Sequence, residues 1–310
     1  MEITDTLPFR TWLAALRAHA RTHPLAALGF GVTALVMLAL LAQSLLQIFS
    51  AEAEVALRYA LLGGAAGFGA TVLGAVPALF LRSIPQRVED SMLGFAAGMM
   101  LAASAFSLLL PGLAAGGSIL GSKPLGAGVV VLGMALGVLL MLGLDEFTPH
   151  EHDKTGPCGP GYERCGRVWL FVFAIALHNL PEGMAIGVGF AHADLAVGLP
   201  LATAIVLQDL PEGLAVALAL RSAGLTPPAS VLVGGATGLL ELFGALLGAG
   251  LAGGLAIAYP IGLGLAAGAM IFVVSHEVIP ETHRNGHQTP ATIGLMVGFA
   301  VMMVLDTALG

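Results

Sequence analysis

The feature that most constrains this chain is a succession of long apolar runs separated by short polar or glycine- and proline-rich segments. A helix needs about 20 apolar residues to cross the hydrocarbon core of a bilayer. Nine runs meet that length, with approximate limits 25–49, 56–81, 90–116, 124–147, 167–191, 195–220, 228–252, 256–280 and 290–309. With 57% hydrophobic and 10% charged residues, and a mean hydropathy of +0.92, the chain lies far from soluble averages. The expected fold class is an all-α polytopic membrane protein, with lipid as its partner on most faces. Glycines lie within the apolar runs, where they let helices approach closely. The net charge of −7 says little, because the charges cluster between the runs.

The run 25–49 follows Arg10, Arg17 and Arg21 and is too long for the core of a signal peptide, so it reads as a retained transmembrane helix. Before it, Phe9, Trp12, Leu13 and Leu16 suit an amphipathic segment 1–24 on the cytoplasmic membrane surface. A solvated basic tail accounts for the same residues. With the N-terminus in the cytoplasm, Arg10, Arg17, Arg21, Arg82, Arg87, Lys154, Arg164, Arg167, Arg221 and Arg284 fall inside, and Arg58 and Lys123 outside. Such an asymmetry is the positive-inside signal, and nine spans then leave Gly310 outside. Cys158 and Cys165 both lie in the polar loop 148–166, so no disulfide framework is expected.

Two internal similarities accompany the spans. Leu177-His178-Asn179-Leu180-Pro181-Glu182-Gly183 matches Leu207-Gln208-Asp209-Leu210-Pro211-Glu212-Gly213, and Leu93 to Met100 resembles Leu263 to Met270. The members of each pair fall in oppositely running spans, as in the inverted repeats of secondary transporters. Small-residue repeats also arise by chance, so the second similarity is the weaker.

A charged side chain at the bilayer centre costs at least about 2.5 kcal/mol, so an intramembrane carboxylate needs a partner. His178 and Glu182 share a helix face at a spacing of four, as do Gln208 and Glu212. Asn179 with Glu182 and Asp209 with Glu212 repeat the arrangement at three, and Glu241 lies mid-way along the next span. Pro181 and Pro211 remove a hydrogen bond each and free the carbonyls of Leu177 and Leu207, which must then face protein, water or an ion. Imidazole, amide and carboxylate donors suit a borderline divalent cation better than a soft one. Gathered together, Glu182, Asp209, Glu212 and Glu241 bring four negative charges, which two divalent cations would neutralise.

At these residues the chain resembles a bacterial member of the ZIP (Zrt/Irt-like) family, whose metal-binding helices carry His-Asn-x-Pro-Glu-Gly-like and Gln/His-Asp-x-Pro-Glu-Gly-like motifs. The resemblance covers roughly 56–310, giving an eight-helix core with inverted repeats plus one extra N-terminal helix. It implies uptake of zinc, with cadmium, iron or manganese tolerated, across a bacterial inner membrane into the cytoplasm. It also implies a homodimer that moves its metal-carrying helices as an elevator. Carried over to these positions, one metal site is His178, Glu182, Gln208 and Glu212. The adjoining site is Asn179, Glu182, Asp209, Glu212 and Glu241, with Glu182 and Glu212 bridging. Gln208 stands where many relatives have His, which makes the first site harder.

The orientation puts Asp145, His276 and Glu277 on an exit path toward the cytoplasm, and Met100, Ser107 and Asp306 on the outer approach. Met100 also fits simple apolar packing. His150 and His152 make the loop 148–166 a metal-catching segment or a merely solvated one. An intramembrane hydrolase is the first rival reading, since the same ligands can activate water. The segment His276-Glu277-Val278-Ile279-Pro280, however, has proline where the second histidine of a zinc protease stands. A cation channel is the second rival. No phosphate-binding glycine loop followed by Lys-Ser/Thr occurs, which excludes an ATP-driven pump within this chain, and nothing points to nucleic acid.

Overall fold

The structure, a computed structural model, describes residues 17–47, 54–147, 150–152, 156–158, 167–252 and 256–310. We label the long helices α1 (Pro24–Gln47), α2 (Glu54–Ala75, ending in a 3-10 turn Val76–Leu79), α3 (Gln86–Leu120) and α4 (Lys123–Phe147). They continue as α5 (Arg167–Gly189), α6 (Leu195–Ser222), α7 (Pro227–Ala252), α8 (Ala258–His283) and α9 (Gln288–Leu309). Seven of them, α2 to α4 and α6 to α9, are long and apolar enough to cross a membrane among the described residues. The chain is thus a multi-pass, all-α membrane protein, apart from one short ribbon. That ribbon pairs His150–His152 with Gly156–Cys158 in the polar loop. The segment holding Phe9, Trp12, Leu13 and Leu16 lies outside the described residues, as does Cys165.

Two helices, α3 and α8, each contain a π-helical turn. In α3 it spans Ser104–Leu109 and in α8 Val274–Val278. Both stand just ahead of a proline, Pro111 and Pro280. A proline donates no hydrogen bond and crowds the carbonyl one turn back, and a widened turn accommodates both defects. At the start of α3, the buried carboxylate of Asp90 accepts from Gln86 and Asn285 and pairs with His287 Nδ1 at 2.8 Å. The α8–α9 turn is thereby tied to α3.

Glycines set how the helices pair. A Cβ at Gly94 or Gly98 would overlap the α9 backbone at Ala291 or Leu295, and Gly294 and Gly298 stand likewise against Ser91 and Phe95. Gly133, Gly137, Gly264 and Gly268 form the same kind of seam between α4 and α8. The glycine pairs Gly94/Gly98 and Gly264/Gly268 therefore pack within the subunit. Further seams join α5 to α7 and α2 to α6. The result is two groups, α2 with α5, α6 and α7, and α3 with α4, α8 and α9, which meet mainly where α6 faces α3 and α5 faces α8. At that boundary the atoms nearest a Cβ on Gly262 of α8 belong to the side chains of Val188 and Leu251.

Candidate metal site

The first group holds every residue of the mid-helix constellation. α5 contributes His178, Asn179 and Glu182, α6 contributes Gln208, Asp209 and Glu212, and α7 contributes Glu241. All seven are buried, the most exposed being Glu212 at 6%. Spacings of three and four place each trio on one helix face. Both α5 and α6 continue through Pro181 and Pro211, so the kinks leave the helices intact.

The glycine after each glutamate explains the close convergence. A Cβ at Gly183 would overlap the Glu241 backbone, and one at Gly213 would overlap the Thr71 carbonyl. Each Pro-Glu-Gly thus presses its helix against a neighbour within one residue of a carboxylate. α7 is interrupted at Gly238, between Pro227–Thr237 and Leu239–Ala252, so Glu241 occupies the first turn of a new helical segment. The partial positive charge at a helix start favours a carboxylate there.

Oxygens of Glu182, Asp209 and Glu212 lie within 4.8 Å of one another. Gln208 donates through Nε2 to Glu182 Oε1, and Thr71 donates through its hydroxyl to Glu241 Oε1 at 2.8 Å. Within the constellation five buried oxygens keep no hydrogen-bond partner among the described residues: Glu182 Oε2, Gln208 Oε1, Asp209 Oδ2, Glu212 Oε1 and Glu241 Oε2. Buried polar atoms are nearly always paired, so a convergent set of acceptors without donors is suited to a cation. Oxygen donors beside the His178 imidazole match a borderline divalent ion.

The other sequence candidates separate into two sets. Ligand atoms of Asp145, His276 and Glu277 come within 4.8 Å of one another, with His276 Nε2 4.0 Å from Asp145 Oδ2. A small cavity beside this cluster is lined by Leu177, His178, Asp145 and Glu277. On the other side, Met100 is packed in the apolar core. Ser107 donates to Asp306 Oδ1 at 2.6 Å, linking α3 to α9. For His150 and His152 the structure describes the ribbon backbone.

Sequence reasoning passed over Thr71 and Gly67. Thr71 carried the faint signal of a hydroxyl inside an apolar run, and Gly67 carried none. A Cβ at Gly67 would collide with the Glu241 carboxylate and come 3.2 Å from Asp209 Oδ2. Also missed were His19 and His23, whose spacing of four was the available sign.

Known proteins resemble this chain along most of its length. The sequence profile of the family described as ZIP Zinc transporter matches residues 160–306, which takes in α5 to α8, most of α9 and all seven candidate site residues. Zinc transporter ZIPB of Bordetella bronchiseptica is 64% identical over 96% of this chain and 96% of its own. This chain belongs to the ZIP family. Zinc transporter GufA of Myxococcus xanthus is 41% identical over 78% of the chain and 95% of its own. Zinc transporter ZIP11 of Homo sapiens is 32% identical over 81% and 97%. Membership of a family of ZIP transporters sets the intramembrane hydrolase aside.

Proposed function

We propose that this ZIP protein carries zinc across a membrane through the site at His178, Asn179, Glu182, Gln208, Asp209, Glu212 and Glu241. The observation that carries the reading is the approach of Glu182, Asp209 and Glu212 to within 4.8 Å of one another on two proline-containing helices, with buried carboxylate oxygens that accept no hydrogen bond. In this reading two metal ions bind side by side, bridged by Glu182 and Glu212, and cadmium binds as well. The acceptors replace the water shell of the ion, and their negative charge offsets the cost of bringing it to membrane depth.

The proposed route leads inward from His178, along the cavity, to Asp145, His276 and Glu277, with His150 and His152 as further acceptors in the loop. Met100, Ser107 and Asp306 stand on the outer approach. The reading includes nine spans, α1 to α9, in a bacterial inner membrane, with a cytoplasmic segment 1–24 and a periplasmic C-terminus. The eight-helix core, 56–310, follows the extra helix 25–49. An inverted repeat is supported by the two bulges, each beginning four residues after its matching segment, at Ser104 after Met100 and at Val274 after Met270.

Elevator motion is supported by the glycine seams, which bring helix backbones together within each group, while at Gly262, on the boundary between the groups, the nearest atoms are side chains. Assembly as a homodimer belongs to the same reading and needs a surface other than the Gly94/Gly98 and Gly264/Gly268 seams.

Uptake of radioactive zinc into proteoliposomes tests the proposal, comparing the intact chain with His178→Ala/Glu212→Ala reconstituted at equal density. Saturable uptake by the intact chain and its loss in the variant are expected; equal uptake by both would overturn it. Single-channel currents in a planar bilayer would replace the carrier with a pore.

A further inference from the structure

A third group of ligands lies where the chain enters α1. Residues 17–22 are helical, and the hydrogen bonds from His23 N to His19 O at 3.0 Å and from Ala27 N to His23 O at 2.9 Å carry the ladder on toward α1. His19 and His23 therefore lie on one face, a spacing that zinc-binding helices use for paired imidazoles. Their rings are 4.7 Å apart between centroids and tilted by 32°. Both aim at one atom of Glu146 at the end of α4: His19 Nε2 lies 2.8 Å and His23 Nδ1 3.8 Å from Oε1. Ligand atoms of all three residues fall within 4.8 Å of one another.

An ordinary ion pair requires only one imidazole at a carboxylate, and a second charged ring 4.7 Å from the first would oppose it. A metal reverses that balance, because it uses neutral imidazole nitrogens together with a carboxylate oxygen. Two ligand atoms on a tetrahedral zinc, each about 2.0 Å from it, stand roughly 3.3 Å apart. The two nitrogen-to-oxygen distances bracket that value. The anchorage is apolar, with Phe147 edge-on to His19 at 5.5 Å and stacked on Phe30 at 5.1 Å. The side chains of His19, Glu146 and His23 remain 22%, 39% and 51% exposed, so an ion can arrive and leave.

We propose that His19, His23 and Glu146 form a further divalent-cation site of zinc type, with three protein ligands and a position left for water. Glu146 adjoins Asp145 in sequence, so the site stands one residue beyond the cluster at which the proposed route ends. Its role as receiver of transported metal rests on the transport reading above; its capacity to bind zinc does not.

Metal analysis of the full-length protein in detergent, after dialysis against buffered free zinc, provides the test. Four proteins are compared: the intact chain, His19→Ala/His23→Ala, His178→Ala/Glu212→Ala, and the combination of both pairs. Replacing His19 and His23 should remove about one zinc per chain in either background. A count unchanged by that replacement in both backgrounds would overturn the proposal. If His178→Ala/Glu212→Ala leaves the count unaltered, the mid-membrane reading fails and this one stands. Glu146→Gln keeps the shape of the cluster and an acceptor for His19, and should weaken zinc at this site at least tenfold, giving a second readout should the alanine pair unfold. Zinc held with undiminished affinity by Glu146→Gln would count against the site.

Discussion

Gly67 serves the metal site by lacking a side chain. It sits on α2 against the carboxylates of Glu241 and Asp209, where a Cβ would occupy the space of Glu241 Oε2. Two residues on, Gly69 has nothing within 4 Å of the same position. Overpacking a tight position costs about 1–3 kcal/mol, equivalent to roughly five- to 150-fold in an equilibrium constant. Gly67→Ala should therefore weaken zinc uptake about fivefold or more in proteoliposome kinetics, with insertion unimpaired, while Gly69→Ala should transport as the intact chain does. Equal kinetics for the two would mean that the Glu241 carboxylate yields to a methyl group at Gly67 without loss of transport. The acidic and amide residues of the candidate site were conspicuous in the sequence because a charged group inside an apolar run is costly. Gly67 was not, since one glycine among many in a membrane helix has no distinguishing mark. His19 and His23 were hidden for another reason: their partner, Glu146, lies far along the chain, and only packing of the N-terminal helix against the end of α4 brings them together.

At the scale of the helices, the seams between pairs decide which elements pack backbone to backbone. Gly98 lies against the backbone of Leu295 and Phe299, with no flexible side chain to yield. Gly98→Val should lower the melting temperature in detergent, by the loss of about 1–3 kcal/mol, whereas Gly128→Val, where nothing lies within 4 Å, should leave it nearly unchanged. A Gly98→Val protein that melts with the intact chain would show that α3 and α9 are not held by this contact. Helix limits were readable to within a few residues because the length of an apolar run is fixed by the bilayer. The π-helical turns were not, although Pro111 and Pro280 marked their neighbourhoods, because a helical proline is accommodated by a kink, a bulge or a break according to what packs beside it. The break at Gly238 that brings Glu241 to a helix start was equally silent, lying within one continuous apolar run.

For the whole molecule, the division into two groups predicts which constraints stop transport. Met92 of α3 and Leu210 of α6 line one crevice at the boundary between the groups. In a background with Cys158 and Cys165 replaced by serine, a short bis-maleimide joining Met92→Cys to Leu210→Cys would fix one group against the other. Movement of the metal-carrying group past its neighbour requires that this distance change, whereas binding at His178, Glu182 and Glu212 does not. Cross-linking should therefore abolish zinc uptake while zinc still binds in detergent at the stoichiometry of the unlinked protein. A linker between Gly94→Cys and Ala291→Cys is the unsuitable control, because bulk there would disturb a glycine seam. Each single-cysteine protein treated with the same reagent is the appropriate one, and should keep transporting. Full uptake through the linked protein would require the ion to pass a rigid boundary, and would replace the moving carrier with a path inside a fixed bundle.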